Sequence, residues 1–304
     1  MIPGFGGYSL YYIGNFFFSG LTKGSFAIRA KSVSYSLFSA IFPMLIFGLS
    51  LIPFIPIRGF QQDMLVLITD MLPESLFEVL GYTITDTITN PSKTLLSFGA
   101  ITTLFFAANG ILAIISAFNA SYHHIESRNV ISLRLISIAL VVIISVLILA
   151  AMIIIIGGSR YIDYLTTVHQ TLADSAFWYA VLEFAKWIII LLLYFIAISF
   201  LYYLAPSKKS RYKFISPGAI LATIVQVACT SGFSFYVNNF ANYNKLYGSI
   251  GTIIIVLMLL YFTAISLILG FELNISIISG KERDIKVKSE KQQKFEKWVE
   301  GHKY

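Results

Sequence analysis

Six apolar runs, each long enough to cross a bilayer, constrain the fold of this sequence more than any other feature. A helix needs about 20 apolar residues to cross the hydrocarbon core of a membrane. Backbone polar groups in lipid must be bonded within the chain, so runs of this length form helices. The runs occupy residues 32–57, 94–118, 135–157, 180–204, 218–237 and 249–271. They predict an all-α integral membrane protein with a six-transmembrane-helix bundle over residues 32–279.

Composition excludes a soluble globular chain. Hydrophobic residues make up 57% of the sequence and charged residues 12%, whereas a soluble domain has about 25% charged residues. A chain this apolar cannot cover its surface with polar groups in water, and in a bilayer it does not need to. The single cysteine, Cys229, excludes a disulfide within the chain and a cysteine-based metal cluster.

Segments rich and poor in Lys and Arg alternate along the chain. The rich segments hold three, two, four and eight such residues, at 1–31, 119–134, 205–217 and 280–304. The poor segments hold two, one and one, at 58–93, 158–179 and 238–248. Cytoplasmic segments carry the excess of positive charge in membrane proteins. The alternation predicts a multi-pass protein of a bacterial inner membrane with both ends in the cytoplasm.

Three segments outside the spans have patterns of their own. Residues 1–31 are apolar and aromatic with interrupting glycines, which predicts an interfacial helix at the N-terminus. Apolar residues recur at helical spacing in 58–93, which predicts amphipathic helices on the outer face. Residues 280–304 form a charged cytoplasmic tail, where Ser289 with Gln292 predicts the start of a short helix.

Small residues predict where the spans pack most closely, because helix association in lipid depends on close backbone contact. They follow one face of the second and fifth runs, and these two runs are expected at the centre of the bundle. Gly110 and Gly232 are expected at tight helix contacts.

No constellation of residues indicates an enzyme. The adjacent pair His123 and His124 diverges on any regular element, and no histidine pair has metal-ligand spacing inside a span. No phosphate-binding glycine loop of the Walker type is present. The basic net charge of +7 fits anionic lipid headgroups, and no soluble module offers a nucleic-acid surface. The sequence therefore predicts no cofactor, no metal and no nucleic acid partner.

Polar groups at membrane depth are costly and carry the functional hypothesis. Asn109 and Gln226 lie near the middle of the second and fifth runs, and Glu272 lies near the inner end of the sixth. Arg29, Lys31 and Arg134 are available as partners for Glu272. These groups either hold helices together or form a polar path or headgroup site inside the bundle.

Several stretches resemble the YihY/BrkB family of bacterial inner-membrane proteins. The resemblance is carried by Pro217-Gly218-Ala219, Phe235-Tyr236, the run from Asn239 to Ser249, and the run from Leu269 to Asn274. The first run agrees through Tyr35 to Ser39 and Phe42-Pro43. The resemblance covers residues 10–280. It adds the following polar positions to the candidates: Asn119, Arg134, Asn244, Lys245 and Tyr247.

The resemblance implies six transmembrane helices but no firm activity. The family's older label, the transfer-RNA-processing ribonuclease BN, is regarded as a misassignment, and members are linked to virulence and to envelope lipid transport. We therefore expect a transporter or flippase-like protein for a lipid or other envelope molecule. The alternative is a scaffold for envelope integrity or virulence, and an intramembrane enzyme is the third hypothesis. The expected partners are membrane lipids and a lipid or small-molecule substrate, and the sequence fixes no oligomeric state.

Overall fold

The computed structural model describes residues 10–23, 25–55, 59–71, 74–121, 128–168, 176–207, 214–240 and 249–301. The regular structure of these residues is helical apart from irregular connections. The helices are α1 (Leu10–Lys23), α2 (Phe26–Leu51), α3 (Phe60–Met71), α4 (Glu74–Thr89), α5 (Lys93–Ser121), α6 (Val130–Val168), α7 (Ala176–Leu204), α8 (Pro217–Phe240) and α9 (Ser249–Gly301). A short 3₁₀ helix, Ile52–Phe54, follows α2.

The prediction of an all-α fold with six membrane spans is confirmed. Among the described residues, six helices are long and apolar enough to cross a membrane. These spans are Phe26–Phe54, Lys93–Ser121, Val130–Ala151, Ala180–Leu204, Pro217–Tyr236 and Ile253–Ser279. The first span begins before the predicted residue 32. The sixth continues past the predicted residue 271, so Glu272 lies within a span.

The six spans form a closed ring in chain order. Each of α2, α5, α6, α7, α8 and α9 packs against the next, and α9 packs against α2 to close the ring. The closest pairs are α2 with α5 and α8 with α9. α5 also contacts α9 across the ring. Consecutive spans of a multi-pass bundle cross the membrane in opposite directions, so neighbours in this ring run antiparallel.

The main hydrophobic core lies at one end of the ring, which we call the base. The base is the end where α2, α6 and α8 begin and where α5 and α7 end. Its buried apolar residues come from all six spans, and the largest are Tyr202, Phe118 and Phe271. The base therefore holds the helices together much as the core of a soluble bundle does.

The half of the ring opposite the base is not filled in the same way. On every span a long stretch there contains no buried residue. These stretches are 35–49, 100–107, 141–151, 180–197, 227–236 and 253–263. A packed six-helix bundle buries the side chains that point to its axis. Side chains in all six described stretches are half-buried or exposed, so this half is packed less tightly than the base, and we call it the open half.

Glycines test the predicted packing of the second and fifth spans. A Cβ atom on Gly99 would lie 3.1 Å from Phe47 Cα, and one on Gly110 would lie 3.0 Å from Leu37 Cδ2. α5 therefore approaches α2 closely through its small residues. The prediction for Gly232 is wrong, because a Cβ atom there would meet nothing within 4 Å. Gly232 lies on the stretch of α8 that borders the open half, and no neighbouring helix packs against this position.

Helices outside the ring pack beside the first and last spans near its two ends. α1 packs against α9 and α2, and its Ile13 is buried. Helices are present in the segment 58–93, where α3 and α4 lie beside the far end of α2. A small cluster of buried isoleucines, Ile52, Ile84 and Ile88, joins α4 to the end of the first span.

α9 is longer than the sequence predicts. It runs without interruption from Ser249 to Gly301, 53 residues, so the span and the charged segment after it form one helix. The predicted helix start at Ser289 is wrong, because Ser289 lies inside α9. No proline occurs in this stretch, and the lysines and glutamates that follow the span favour helix.

Candidate functional site

The base contains a buried ion pair between the first and last spans. Arg29 Nη2 on α2 lies 2.6 Å from Glu272 Oε1 on α9, and the two side chains are 8% and 2% exposed. Arg29 Nη1 also donates to Ala117 O at 3.0 Å and to Ser121 Oγ. One guanidinium thus joins α2 to both α5 and α9.

The first helix covers this ion pair. A Cβ atom on Gly20 of α1 would lie 2.9 Å from Glu272 Oε2. Only a residue without a side chain lets α1 approach the carboxylate this closely. Of the three predicted partners for Glu272, the structure selects Arg29. A carboxylate in a span requires such a partner, because an isolated charge in hydrocarbon is strongly unfavourable.

α8 and α9 cross in direct backbone contact beside the ion pair. A Cβ atom on Gly218 or on Gly270 would overlap the carbonyl oxygen of the other residue. Asn274 Oδ1 accepts a hydrogen bond from Gly218 N at 2.8 Å, and Asn274 Nδ2 donates to Ser216 Oγ at 2.9 Å. Ser216 also caps α8 by accepting from Ala219 N at 3.2 Å. These contacts fix the two helices at the base.

Three aromatic residues fill the centre of the base. Phe118 stacks on Phe271 with ring centroids 4.1 Å apart, and Tyr202 lies edge-on to Phe118 at 5.5 Å. The Tyr202 hydroxyl donates to Leu267 O at 2.6 Å. The phenol therefore satisfies its polar atom inside an apolar layer. These contacts fill the centre of the base with packed aromatic side chains.

Gln226 has an unsatisfied polar atom where the base meets the open half. Its Nε2 donates to Thr263 Oγ1 at 3.0 Å and to Thr230 Oγ1 at 3.2 Å. Gln226 Oε1 is buried without a hydrogen-bond partner. The Thr263 hydroxyl donates to Leu259 O at 3.0 Å and accepts from the amide. In this arrangement Gln226 Oε1 remains available to a donor.

Arg134 and Asn109 form a second polar contact between spans. Arg134 Nη1 on α6 donates to Asn109 Oδ1 on α5 at 2.6 Å. The guanidinium carbon also lies 4.4 Å from the centroid of the Phe105 ring. Both polar residues are half-buried. The structure thus brings together two predicted residues that lie on neighbouring helices.

The other predicted residues fall into two groups. Asn119 is buried near the end of α5 at 8% exposure, next to Phe118 in the base. Asn244, Lys245 and Tyr247 lie outside the described residues. The same holds for His123 and His124. Among the residues that the structure describes, no group of three histidine, cysteine, aspartate or glutamate side chains could hold a metal ion.

Sequence reasoning missed several residues that build the base. Gly20, Ser121 and Tyr202 were not singled out, since a glycine, a serine and a tyrosine near helix ends have many uses. Asn274 and Gly270 carried a usable signal, because residues one turn apart share a face of a helix. A small residue paired with an amide in this way is typical of a close helix crossing in membranes.

Comparison with known proteins identifies a matching family and several related proteins. The sequence matches the family described as virulence factor BrkB over residues 17–295. The ribonuclease-like protein YfkH of Bacillus subtilis (strain 168) is 35% identical over 248 residues, which cover 81% of this chain and 88% of that protein. A UPF0761 membrane protein of Xanthomonas campestris pv. campestris (strain B100) is 34% identical over 79 residues, 26% of this chain and 19% of its own length. No solved structure matches this chain.

Proposed function

This chain belongs to the virulence factor BrkB family of membrane proteins, and from that premise we propose that it is a transporter of the flippase kind. Its cargo is a lipid or another amphipathic envelope molecule. It acts in the bacterial inner membrane, with both ends in the cytoplasm. The base then faces the cytoplasm and the open half faces outward.

The difference between the two halves of the ring carries this proposal. A transporter needs a path that is closed at one end and accessible at the other. The base is closed by the Arg29–Glu272 ion pair, the aromatic cluster and the α8–α9 crossing. Beyond the base, each of the six spans has a stretch of half-buried and exposed side chains with no buried residue among those described. A protein that only anchored partners would gain nothing from leaving half of its bundle unfilled.

Polar groups at the floor of the open half support the same function. Gln226 Oε1 is a buried acceptor without a partner, and a buried unsatisfied acceptor costs about 1–3 kcal/mol. A buried acceptor that is unpaired in one state calls for a partner, such as water or a ligand, in another. The hydroxyls of Thr230 and Thr263 lie beside it. A hydroxyl or amine of a headgroup would find its acceptor at this position.

Membrane lipids are the proposed partners, and nucleic acid is not among them. The Lys and Arg residues of this chain are concentrated in the segments assigned to the cytoplasm, where they meet anionic headgroups. The name ribonuclease-like belongs to YfkH. We do not extend it to this chain, for which we propose a role other than catalysis.

A scaffold is the second candidate, and the length of α9 favours it. The helix continues past the last span residue, Ser279, to Gly301. A charged helix that projects from a membrane offers a surface to a partner protein. Lipid transfer separates the two functions, because a scaffold leaves lipids in their leaflet.

Reconstitution into liposomes tests the proposal. Purified protein is inserted into vesicles that carry a fluorescent phospholipid in both leaflets, and a membrane-impermeant reductant is added. We expect bleaching to exceed the outer-leaflet half that protein-free vesicles lose. Gln226→Leu removes the unsatisfied acceptor and is expected to slow transfer several-fold. Ile224→Leu, at an exposed residue of α8 outside the stretch that borders the open half, is the matched control and should transfer lipid at the wild-type rate.

Bleaching limited to one half, in vesicles whose protein is shown to be inserted and folded, would reject transport of the phospholipid tested. The scaffold would then be favoured if a deletion strain showed altered envelope integrity with normal lipid distribution.

A further inference from the structure

Arg134 carries a positive charge that no described carboxylate neutralises. Its contacts are the Asn109 amide oxygen at 2.6 Å and the Phe105 ring at 4.4 Å. Both are neutral groups. Arg29, in the same bundle, differs from Arg134 because its charge is balanced by Glu272 at 2.6 Å. The part of the chain that the structure describes offers Arg134 no such ion pair.

The position of Arg134 makes this unbalanced charge costly. Arg134 lies in the span Val130–Ala151, about 6 Å along the helix from its first residue. Asn109 lies about 18 Å along α5 from Ser121, the last residue of that span. The hydrogen bond therefore holds the guanidinium within the apolar layer. Charged groups at such depth are retained where they bind an ion or a substrate.

The guanidinium also has donors to spare. Arginine has five N–H donors in a planar fork, and the structure records one hydrogen bond from this side chain. The fork matches the geometry of two phosphate or carboxylate oxygens. An anion bound to the remaining donors would supply the missing negative charge.

Exposed apolar residues flank the cation on both helices. Ile131 and Leu135 lie beside Arg134 on α6, at 71% and 63% exposure. Phe105 and Ile101, one turn apart on α5, are 52% and 69% exposed. This surface fits acyl chains, and a small water-soluble anion gains nothing from it. The combination of one unpaired cation with an apolar surround is the arrangement expected for an anionic lipid.

We propose that Arg134, positioned by Asn109 and Phe105, binds the phosphate of an anionic membrane lipid whose acyl chains lie along α5 and α6. The inference rests on the proposed function in taking this lipid as cargo, and it names the substrate class. The phosphate receives the free N–H donors of the guanidinium. Asn109 holds the fork in place, and the Phe105 face stabilises the cation.

Binding to purified protein in uncharged detergent tests the assignment. Fluorescent phosphatidylglycerol is titrated, and unlabelled phosphatidylglycerol, phosphatidylcholine, diacylglycerol and inorganic phosphate compete. We expect phosphatidylglycerol to compete best. Arg134→Gln should weaken binding about ten-fold or more, the factor expected when a charge-assisted hydrogen bond is lost. Lys93→Gln removes an exposed positive charge at the other end of α5 and should bind like wild type.

Arg134→Lys keeps the charge without the fork and should bind with intermediate affinity. Arg134→Lys replaces Arg134→Gln in the binding assay if the glutamine variant does not fold. Several outcomes would overturn the assignment: equal binding by wild type and Arg134→Gln, equal competition by phosphatidylcholine or diacylglycerol, or competition by inorganic phosphate as strong as by the lipid. These results are independent of the vesicle assay. Arg134-dependent binding without lipid transfer leaves this site standing and rejects transport, whereas transfer with unchanged binding in Arg134→Gln does the opposite.

Discussion

At the scale of single residues, the partner of a buried charge determines what that charge does. Arg29 meets Glu272, Ala117 O and Ser121 within the base. Its charge is therefore neutralised, and its hydrogen bonds join three helices. Among the described residues, Arg134 meets only an amide and an aromatic ring. The first arginine stabilises the fold, whereas the second can still bind an anion.

The ion pair predicts strong coupling between Arg29 and Glu272. Glu272→Gln leaves the guanidinium buried without a counter-charge, which costs about 3–5 kcal/mol when one partner of such a pair is removed. We expect a lower melting temperature in detergent for Glu272→Gln and for Arg29→Met. The double variant Arg29→Met with Glu272→Gln should be at least as stable as either single variant, because no charge remains. Losses that simply add would show that the two residues do not stabilise the base as a pair.

Sequence reasoning found most of the polar residues but few of their partners. Asn109, Gln226 and Glu272 stand out because polar groups are rare inside apolar runs. Which cation Glu272 meets depends on helix rotation and on the order of spans around the ring, and neither is encoded locally. Gly20 had no signal, because its role exists only after α1 has packed against α9.

At the scale of elements, close contact is confined to particular helix pairs. α2 and α5 approach through Gly99 and Gly110, and α8 and α9 through Gly218 and Gly270. The six spans were predictable because the apolar run is a local property. The place of each glycine was not, as Gly232 shows. A small residue marks a contact only when a neighbouring helix lies against it.

The α8–α9 crossing can be tested with one methyl group. Gly270→Ala places a Cβ atom against Gly218 O, the Tyr202 hydroxyl and Ala222, so the helices must separate. We expect a loss of about 1–3 kcal/mol, the usual cost of overpacking, measured by thermal unfolding in detergent. Gly232→Ala is the matched control on α8 and should unfold at or slightly above the wild-type temperature, since alanine favours helix. Equal stability of the two variants would contradict the crossing.

At the scale of the whole molecule, the ring is tightly packed at the base and less tightly packed in the open half. The Lys and Arg pattern of the sequence predicts which side each half faces, and the structure, which contains no membrane, adds the asymmetry itself. No sequence pattern indicated the open half, because a residue that lines an opening and a residue that faces lipid are both apolar and exposed.

Orientation is checked by labelling single cysteines in a Cys229→Ser background. Ser75 lies in α4 beyond the far end of the first span, and Ser207 follows α7 at the base. Ser75→Cys should react with a membrane-impermeant maleimide in intact cells, and Ser207→Cys only after the membrane is opened. Labelling of both from outside would contradict the six-span orientation, and labelling in the reverse order would place the open half toward the cytoplasm.

Because α9 is unbroken, a change in the tilt of the last span also moves the C-terminal end of the helix. The helix is held at the base by the contact of Gly270 with Gly218, and Gly301 lies about 46 Å further along it at 1.5 Å per residue. A tilt of the span by about 10° around that contact would displace Gly301 by about 8 Å. A small adjustment in the bundle is thereby magnified at a distance, where a fluorescent reporter on the last turn would register it.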